Sequence, residues 1–357
     1  MKSAFYDKSL RVEVRDVPVP VPGPGQVLIR TVVSGTNPKD WKQPKVWAPE
    51  IGAFNHGDDI AGYVEAVGEG VLGFQPGDRV AALHELRAPH GSFAEYSVTW
   101  AKSTFHLPAH ISFEEAATIP LAVMTASLGL YQRLGLPLPW KPAATRLPFI
   151  VYGGASAVGA YAIKLAMLSN IHPIVAVAGN GASFVESLLD KSKGDAVIDY
   201  RKGNDHVVEG LRKAAGSDVR FAFDAVSENN SIANLDKVLV KGGQIATVLT
   251  PDMVVGGRED SGHTEILFTL VATVHSDVPE EAQAAGAKLG DKEFAAIFFP
   301  FLGLGLAEGW FRGHPFEVID HGLDGLETAL GLLEGGKLSA KKAVLRIGDT
   351  NGAEKKD

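Results

Sequence analysis

The stretch from residue 149 to residue 167 limits the possible folds more than any other part of this chain. Phe149–Tyr152 is a short run of apolar β-branched and aromatic residues, which is typical of a buried strand. Apolar residues recur at helical spacing from residue 158 onward. The pattern therefore predicts a strand, a tight turn and a helix. The turn consists of small residues: Gly153, Gly154, Ala155, Ser156, Ala157, Val158 and Gly159.

A turn of this kind can bind the pyrophosphate of a dinucleotide. In a βαβ unit, the backbone N–H groups and the positive dipole end of the new helix point at the phosphates. Aligning residues 154–159 with the fingerprint G-x-G-x-x-G places Ser156 where the second glycine belongs. The small side chain still permits close approach of the backbone, and its hydroxyl could donate to a phosphate. On this stretch alone, nucleotide binding and a glycine-rich turn without a ligand both remain open.

The rest of the chain shows two different sequence patterns. Residues 1 to about 122 carry strand patterns that glycine and proline often interrupt, which is typical of a compact barrel-like domain. After residue 149, strands alternate with helices, and this alternation predicts a doubly wound parallel sheet. The tail from about residue 314 returns to strand character and could fold back onto the first domain. The strand-like segments after the turn are 173–178, 195–200, 220–226, 243–249 and 268–274.

Composition and charge exclude several classes of protein. The net charge of -8 gives no electrostatic reason to expect nucleic-acid binding. The chain contains no cysteine, so disulfides and thiolate zinc sites are impossible. The N-terminus carries charges where a signal peptide would be apolar. The longest apolar candidate, residues 295–307, is shorter than the roughly 20 residues of a membrane span and is interpreted as a buried, irregular helix. We expect a soluble, cytoplasmic protein.

Ordered motifs across residues 1–348 resemble the medium-chain dehydrogenase/reductase superfamily. They are PGPGQVLIR near the start, NPKDWK at 37–42, GDDIAGYVEAVG at 57–68, FQPGDRV at 74–80, GSFAEY at 91–96, the glycine turn, and GKLSAKK near the end. The sequence is most similar to zinc-independent quinone oxidoreductases and to the fungal trans-acting enoyl reductases that serve polyketide synthases.

The resemblance implies an α/β protein of two domains with the active site in the cleft. A GroES-like β-barrel catalytic domain would occupy residues 1–122 and be completed by residues 314–357. A Rossmann domain, with a doubly wound parallel sheet that binds the nucleotide, would occupy residues 123–313. Whether the protein is a monomer or a homodimer stays open.

Comparison with zinc-dependent members of that family argues against a metal site. Asn37 lies near the position of a cysteine ligand, and Asp58 stands where a histidine ligand would be. His56 is adjacent, but a lone histidine beside glycine is more often structural or solvated than a ligand. Without zinc there is no Lewis acid to bind an alkoxide, so hydride transfer to an activated double bond or to a quinone remains.

The resemblance implies two candidate catalytic residues. Lys42 ends NPKDWK, where the family has a lysine near the cofactor and substrate; the alternative is a solvated surface lysine. Thr125 matches a threonine that faces the nicotinamide; the alternative is a helix-interior threonine that bonds to its own helix. Asn37 and Asp40 are interpreted as residues that shape the loop.

The residues after the second strand of the nucleotide domain favour NADPH. No Asp or Glu occurs between Ile174 and Ser183, whereas an acid there would bind the ribose hydroxyls of NAD. Asn180 and Ser183 could donate to a 2′-phosphate, and the resemblance adds Tyr200, with Arg201 beside it. Later strand ends, which include Val226 and Leu249, are positions where backbone groups could hold the nicotinamide.

Two hypotheses follow from these observations. The first is an NADPH-dependent reductase of an enoyl thioester, an enone or a quinone, which could act in trans with a polyketide synthase. The second is a non-catalytic NADP(H)-binding sensor or scaffold of the same fold.

Overall fold

A computed structural model describes residues 1–250, 253, 262–275 and 290–353. The chain divides into two compact units, Met1–Leu121 with Lys292–Asp357 and Ala122–Asp291. The domain boundaries expected after residues 122 and 313 stay predictions; the second division between the compact units falls earlier, at residues 291 and 292.

The first unit is built mainly on antiparallel strands. A seven-stranded sheet has the order β14-β15-β3-β4-β5-β7, with β6 paired to β3, and β1 pairs with β2 in a separate ribbon. The tail strand β15 pairs antiparallel with β3, with Val344 opposite Gly35. The strands are β1 Lys2–Phe5, β2 Glu13–Asp16, β3 Gln26–Gly35, β4 Asp59–Val67, β5 Arg79–Leu83, β6 Tyr96–Trp100, β7 Thr104–His106, β14 Phe316–Ile319 and β15 Lys342–Arg346.

The helices of the first unit are short, with one exception. The α2 helix begins at an N-cap, because the Ser112 hydroxyl accepts a hydrogen bond of 3.1 Å from the Glu115 N–H. These helices are α1 Pro38–Lys42, α2 Phe113–Ala116, α3 Pro120–Ser127, which runs into the second unit, α8 Asp291–Glu308 and α9 Leu326–Glu334.

The apolar segment 295–307 differs from its prediction. It belongs to the continuous helix α8, which contains Pro300 and is not buried all round. Phe299 packs in the interior against Phe105, with ring centroids 5.8 Å apart, whereas Ile297 is 65% exposed. The apolar run therefore supplies both a buried and an exposed face. Within the residues that the structure describes, no helix is both long and apolar enough to cross a membrane.

The second unit contains the predicted doubly wound α/β sheet. Six strands, all parallel to their neighbours, have the order β10-β9-β8-β11-β12-β13. From β8 the chain adds β9 and β10 on one side of the sheet, and it then returns to add β11, β12 and β13 on the other side. The strand order therefore reverses between β8 and β11, and ligands of such sheets bind at this switch point. The elements are β8 Phe149–Tyr152, α4 Ala157–Leu168, β9 Ile174–Ala178, α5 Ala182–Glu186, β10 Ala196–Asp199, α6 Asn204–Ala215, β11 Phe221–Asp224, α7 Ser231–Asp236, β12 Gln244–Thr247 and β13 Glu265–Phe268.

The last strand is the one whose position the sequence predicted wrongly. The apolar run 268–274 was expected to be a strand, but β13 ends at Phe268, where its register with Thr247 of β12 ends. Residues Val271–Val274 instead form a buried 3-10 turn. A short apolar run suits either structure, so its periodicity could not distinguish them.

Candidate functional site

The glycine turn joins β8 to α4 through a tightly bonded backbone. The N–H groups of Gly153 and Gly154 both donate to the carbonyl of Val177, at 3.0 and 2.9 Å. Gly153 has φ +78, a conformation that glycine adopts without strain. A side chain at Gly159 would place its Cβ 2.3 Å from the Gly153 carbonyl oxygen. The helix can start this close to the turn only because residue 159 lacks a side chain.

Ser156 has a role in this turn that the sequence did not reveal. Its hydroxyl accepts a hydrogen bond of 3.0 Å from the Gly159 N–H, as the N-cap of α4. The same hydroxyl donates to the Gly153 carbonyl at 2.8 Å. Serine therefore closes the turn at the position of the second glycine, and the backbone N–H groups at the start of the helix are the groups suited to bind a phosphate.

A second group of predicted residues lies where β9 and β10 end. The Tyr200 ring lies against Gly179, since a Cβ at Gly179 would be 2.6 Å from the ring atom Cε1. Arg201 donates to the Asn180 side-chain oxygen at 2.5 Å. Arg201 also binds Asp199, with Nη2 2.7 Å from Oδ2, and these bonds lower the pKa of Asp199 to about 2. Asn180 and Tyr200 thus share one corner of the sheet with an arginine, while Ser183 is exposed on α5.

The remaining predicted nucleotide contacts follow β11 and β12. Val226 is half-buried and packs on the glycine turn, because a Cβ at Gly153 would lie 2.4 Å from its Cγ2. Leu249 is buried, and its carbonyl accepts a hydrogen bond of 3.2 Å from the Thr247 hydroxyl. Both residues therefore lie at carboxyl ends of parallel strands, where dinucleotides bind in this architecture.

The two candidate catalytic residues lie on different helices. Lys42 ends α1 and is half-buried, with its ammonium 5.7 Å from the centre of the Trp41 ring. Thr125 is buried on α3, with 6% of its surface exposed.

Lys39, which the sequence did not single out, is the lysine of NPKDWK that enters the protein interior. Its side chain is 11% exposed, and its ammonium lies 2.8 Å from Asp40 Oδ1 and contacts the Asp58 carboxylate. Asp58 is also 2.9 Å from Nδ1 of the buried His84. The carboxylate at the position of the family's histidine ligand therefore pairs with an internal cation. Within the described part of the chain, no group of three or more His, Cys, Asp or Glu side chains is arranged to bind a metal ion.

Burial and charge shift the ionisation of this group, which we call the Lys39 cluster (Lys39, Asp40, His56, Asp58 and His84). Burial alone lowers the pKa of Lys39, but Asp40 and Asp58 outweigh it and raise that pKa above its ordinary value. Burial raises the pKa of Asp40 to about 6, although Lys39 opposes the shift. Burial, with a contribution from Lys39, lowers the pKa of His56 to about 4. Lys39 is therefore the permanent cation of the cluster.

A second buried lysine, Lys342, holds strand β4, which begins directly after Asp58. Lys342 contacts the carboxylate of Asp59 and donates to the Asn37 side-chain oxygen at 3.0 Å. The Asn37 amide donates in turn to Asp59 at 2.7 Å, and the Asn37 N–H donates to Asp40 at 2.7 Å. These contacts agree with the interpretation of Asn37 and Asp40 as residues that shape the loop.

A parallel sheet with a glycine turn at its switch point, in a chain that also carries an antiparallel β unit, is typical of two-domain nucleotide-binding oxidoreductases. Residues 23–109 match the family model of the alcohol dehydrogenase GroES-like domain.

Known relatives and solved structures agree with this class. The chain is 42% identical over 322 residues to the trans-enoyl reductase fsr4 of Gibberella fujikuroi, with 89% of this chain and 90% of that protein covered. It is 32% identical to the trans-enoyl reductase resD of Aspergillus sclerotiorum, with 94% and 96% covered. A solved putative zinc-dependent alcohol dehydrogenase of Rhizobium etli has the same fold, with TM-score 0.80, 21% identity, and 97% and 98% covered. The chain belongs to the medium-chain dehydrogenase/reductase superfamily, in its enoyl reductase-like branch.

Proposed function

We propose that this protein is an NADPH-dependent, zinc-independent reductase of the activated double bond of an enoyl thioester, which acts in trans with a polyketide synthase. The observation that carries the proposal is the 42% identity with a trans-enoyl reductase across 89% of the chain. The proposed nucleotide binding is supported by the geometry of the second unit, and the proposed chemistry by Lys42 of the first unit and Thr125 of the second.

The residues of the second unit fit a nicotinamide dinucleotide. The close packing of Gly159 on Gly153 brings the start of α4 against the turn, and the N–H groups at such a helix start can bind a pyrophosphate. The Tyr200 ring and Arg201, at the adjoining corner, suit an adenosine that carries a 2′-phosphate, because a guanidinium recognises phosphate oxygens in the geometry of a fork. The backbone around Val226 and Leu249 would hold the nicotinamide. When bound, NADPH supplies the hydride of the reaction.

The reaction requires an electron sink at the substrate carbonyl. As a hydride adds to the β-carbon, the electron pair of the double bond moves toward the carbonyl oxygen, and a solvent proton then completes the α-carbon. A positive or hydrogen-bonding group near that oxygen stabilises the developing charge. In this proposal Lys42 and Thr125 are such groups, with Lys42 supplying charge and Thr125 a hydroxyl donor.

The proposed independence from zinc is supported by the Lys39 cluster. Asp58 would have to serve as a ligand, yet its carboxylate is occupied by Lys39 and His84. A metal ion would have to displace a buried ammonium whose pKa is raised by the same carboxylates. The Lys39 ammonium therefore balances the charge of Asp58, the residue that stands where zinc-dependent members have a histidine ligand.

Steady-state NADPH oxidation, followed at 340 nm, tests the proposal with a panel of enoyl thioesters, enones and quinones. We expect the highest kcat/KM with an enoyl thioester. A preference for a quinone would show that the protein is a reductase, but of quinones and not of enoyl thioesters. Tight NADPH binding with no turnover of any acceptor would instead support the non-catalytic sensor or scaffold. Added zinc and a chelator should both leave the rate unchanged.

A further inference from the structure

A buried carboxylate ends β11 at the switch point of the sheet. Asp224 is fully buried, and its Oδ1 accepts hydrogen bonds from the N–H groups of Val226 and Ser227, at 2.9 and 2.8 Å. Its Oδ2 accepts a hydrogen bond from the hydroxyl of Ser231, at the start of α7. Three donors to one buried carboxylate fix the loop that leaves the strand.

Ser227 extends this network to the neighbouring strand. Its backbone lies in the left-handed region, with φ +57, a conformation that costs energy for a residue with a side chain. Its hydroxyl donates to the Asp224 carbonyl and accepts from the Val248 N–H, both at 3.2 Å. The strained residue therefore links the segment after β11 to the segment after β12, which continues into Leu249.

The same carboxylate also acts on the glycine turn through Val226. The Val226 N–H is fixed by Asp224, and its side chain lies against Gly153, where a Cβ would approach to 2.4 Å. Three segments are therefore held by one group: the turn at Gly153, the loop at Val226 and the strand end at Val248.

We propose that Asp224 is a positioning residue that orders the nicotinamide half of the nucleotide site. The inference rests on the proposed function, since it concerns binding of NADPH. A sheet of this type consists of two mononucleotide-binding halves on either side of the switch point. The Tyr200 and Arg201 corner belongs to β9 and β10, whereas the Asp224 network belongs to β11 and β12. The contact with the turn is made by the Val226 side chain, whereas the groups suited to the pyrophosphate are the N–H groups at the start of α4. Asp224 therefore acts on the nicotinamide half, and the adenosine corner belongs to different residues.

The nicotinamide and adenosine halves of the proposed nucleotide site can be tested separately with two ligands. NADPH occupies both, while adenosine 2′,5′-bisphosphate occupies only the adenosine half. We expect Asp224→Ala to raise the Kd of NADPH about tenfold, the equivalent of one lost buried hydrogen bond, with the Kd of the bisphosphate unchanged within about twofold. Isothermal titration calorimetry measures both constants on the same preparation.

Ser227→Gly tests the same link with less risk to folding. Glycine adopts φ +57 without strain, so the backbone keeps its path while the hydroxyl contact with Val248 is lost. We expect a selective rise in the Kd of NADPH here as well. Asp195→Ala is the matched control, because Asp195 is also a buried carboxylate that accepts backbone hydrogen bonds, from the N–H groups of Ile174 and Asp190 at 2.7 and 3.0 Å, but it precedes β10 and lies outside the Asp224 network. Its two Kd values should both match those of the wild type.

The outcomes are distinguishable. If Asp224→Ala and Ser227→Gly bind NADPH as the wild type does, or weaken both ligands equally, Asp224 is not a positioning residue of the nicotinamide half. If the wild-type protein binds neither NADPH nor the bisphosphate, the proposed function itself fails, and the inference fails with it.

Discussion

The ammonium group of Lys39 contacts the carboxylate of Asp58 in the interior of the first unit, where neither side chain is more than 11% exposed. Two further groups, Asp40 and His84, lie within 2.9 Å of members of this pair. Because Lys39 is the permanent cation among them, its charge balances two carboxylates that cannot reach water. Lys39 therefore contributes both to the stability and to the titration of this part of the fold.

Removal of that cation should destabilise the protein strongly. Lys39→Met leaves Asp40 and Asp58 buried without their partner, and the expected loss in the free energy of unfolding is about 3–5 kcal/mol. Urea unfolding followed by circular dichroism measures it. Lys45→Met is the control, because Lys45 is 43% exposed and pairs with Glu334 at the surface; its cost should stay below about 1 kcal/mol. Equal losses in the two variants would contradict the role of Lys39.

Asp40 and His56 should contribute opposite pH dependences to stability. Asp40 has a folded pKa of about 6, above its ordinary value of 3.8, so its contribution is present at acidic pH and is lost as pH rises through about 6. His56 has a folded pKa of about 4, below its ordinary 6.5. Its contribution is present above pH 6.5 and is lost as pH falls toward 4.

Single substitutions should expose each of these two contributions. In Asp40→Asn, stability should fall more steeply than in the wild type as pH drops from 6.5 to 4. In His56→Gln, stability should instead fall less steeply than in the wild type through the same window. Thermal midpoints at closely spaced pH values measure both slopes. Profiles parallel to the wild type in both variants would mean that neither group titrates as stated.

The contacts of the Lys39 cluster could not be predicted from the sequence, whereas much of the second unit could. The glycine turn and the parallel sheet follow from local patterns, because strand and helix periodicity and the small residues between them lie in one continuous stretch. Lys39 pairs with Asp58, and Lys342 with Asp59, and these partners are distant in sequence and carry no local signal. Nothing in NPKDWK indicates which lysine faces inward. Lys42 is a candidate because of the family resemblance, and no feature of the motif points to Lys39. The capping role of Ser156 could have been recognised, since serine is a preferred N-cap.

Cofactor preference should depend on the pair formed by Arg201 and Asp199. Arg201→Gln removes the guanidinium that suits a 2′-phosphate, so the ratio of Kd for NADH to Kd for NADPH should fall about tenfold. Asp199→Asn removes a negative charge that competes with the phosphate for Arg201, and the ratio should rise. Fluorescence titration with both nucleotides measures the ratio. A ratio that stays constant in both variants would assign the preference to other residues.

The proposed roles of Lys42 and Thr125 predict losses in the chemical step. Lys42→Met and Thr125→Val should each lower kcat by about 10²-fold, as loss of one donor to a developing oxyanion does, while the Kd of NADPH stays near that of the wild type. Lys45→Met, three residues further along and exposed, should keep the wild-type kcat. Normal kcat in Lys42→Met would identify Lys42 as a solvated surface lysine, the alternative that its sequence position also allows.

The close contact between Gly159 and Gly153 gives the most direct test of where the pyrophosphate binds. In Gly159→Ala, the new Cβ would meet the Gly153 carbonyl oxygen at 2.3 Å, so the start of α4 must move away from the turn. The N–H groups at that helix start would then no longer point at the pyrophosphate, and the Kd of NADPH should rise at least about tenfold.

Gly331→Ala is the matched control for that substitution. Gly331 lies within α9, where an added Cβ meets no atom within 4 Å, so the change should preserve nucleotide affinity and raise stability by up to about 1 kcal/mol through helix propensity. Thermal unfolding of both variants establishes that each is folded before its Kd is compared. A folded Gly159→Ala protein that binds NADPH as tightly as the wild type would contradict the placement of the pyrophosphate at this turn.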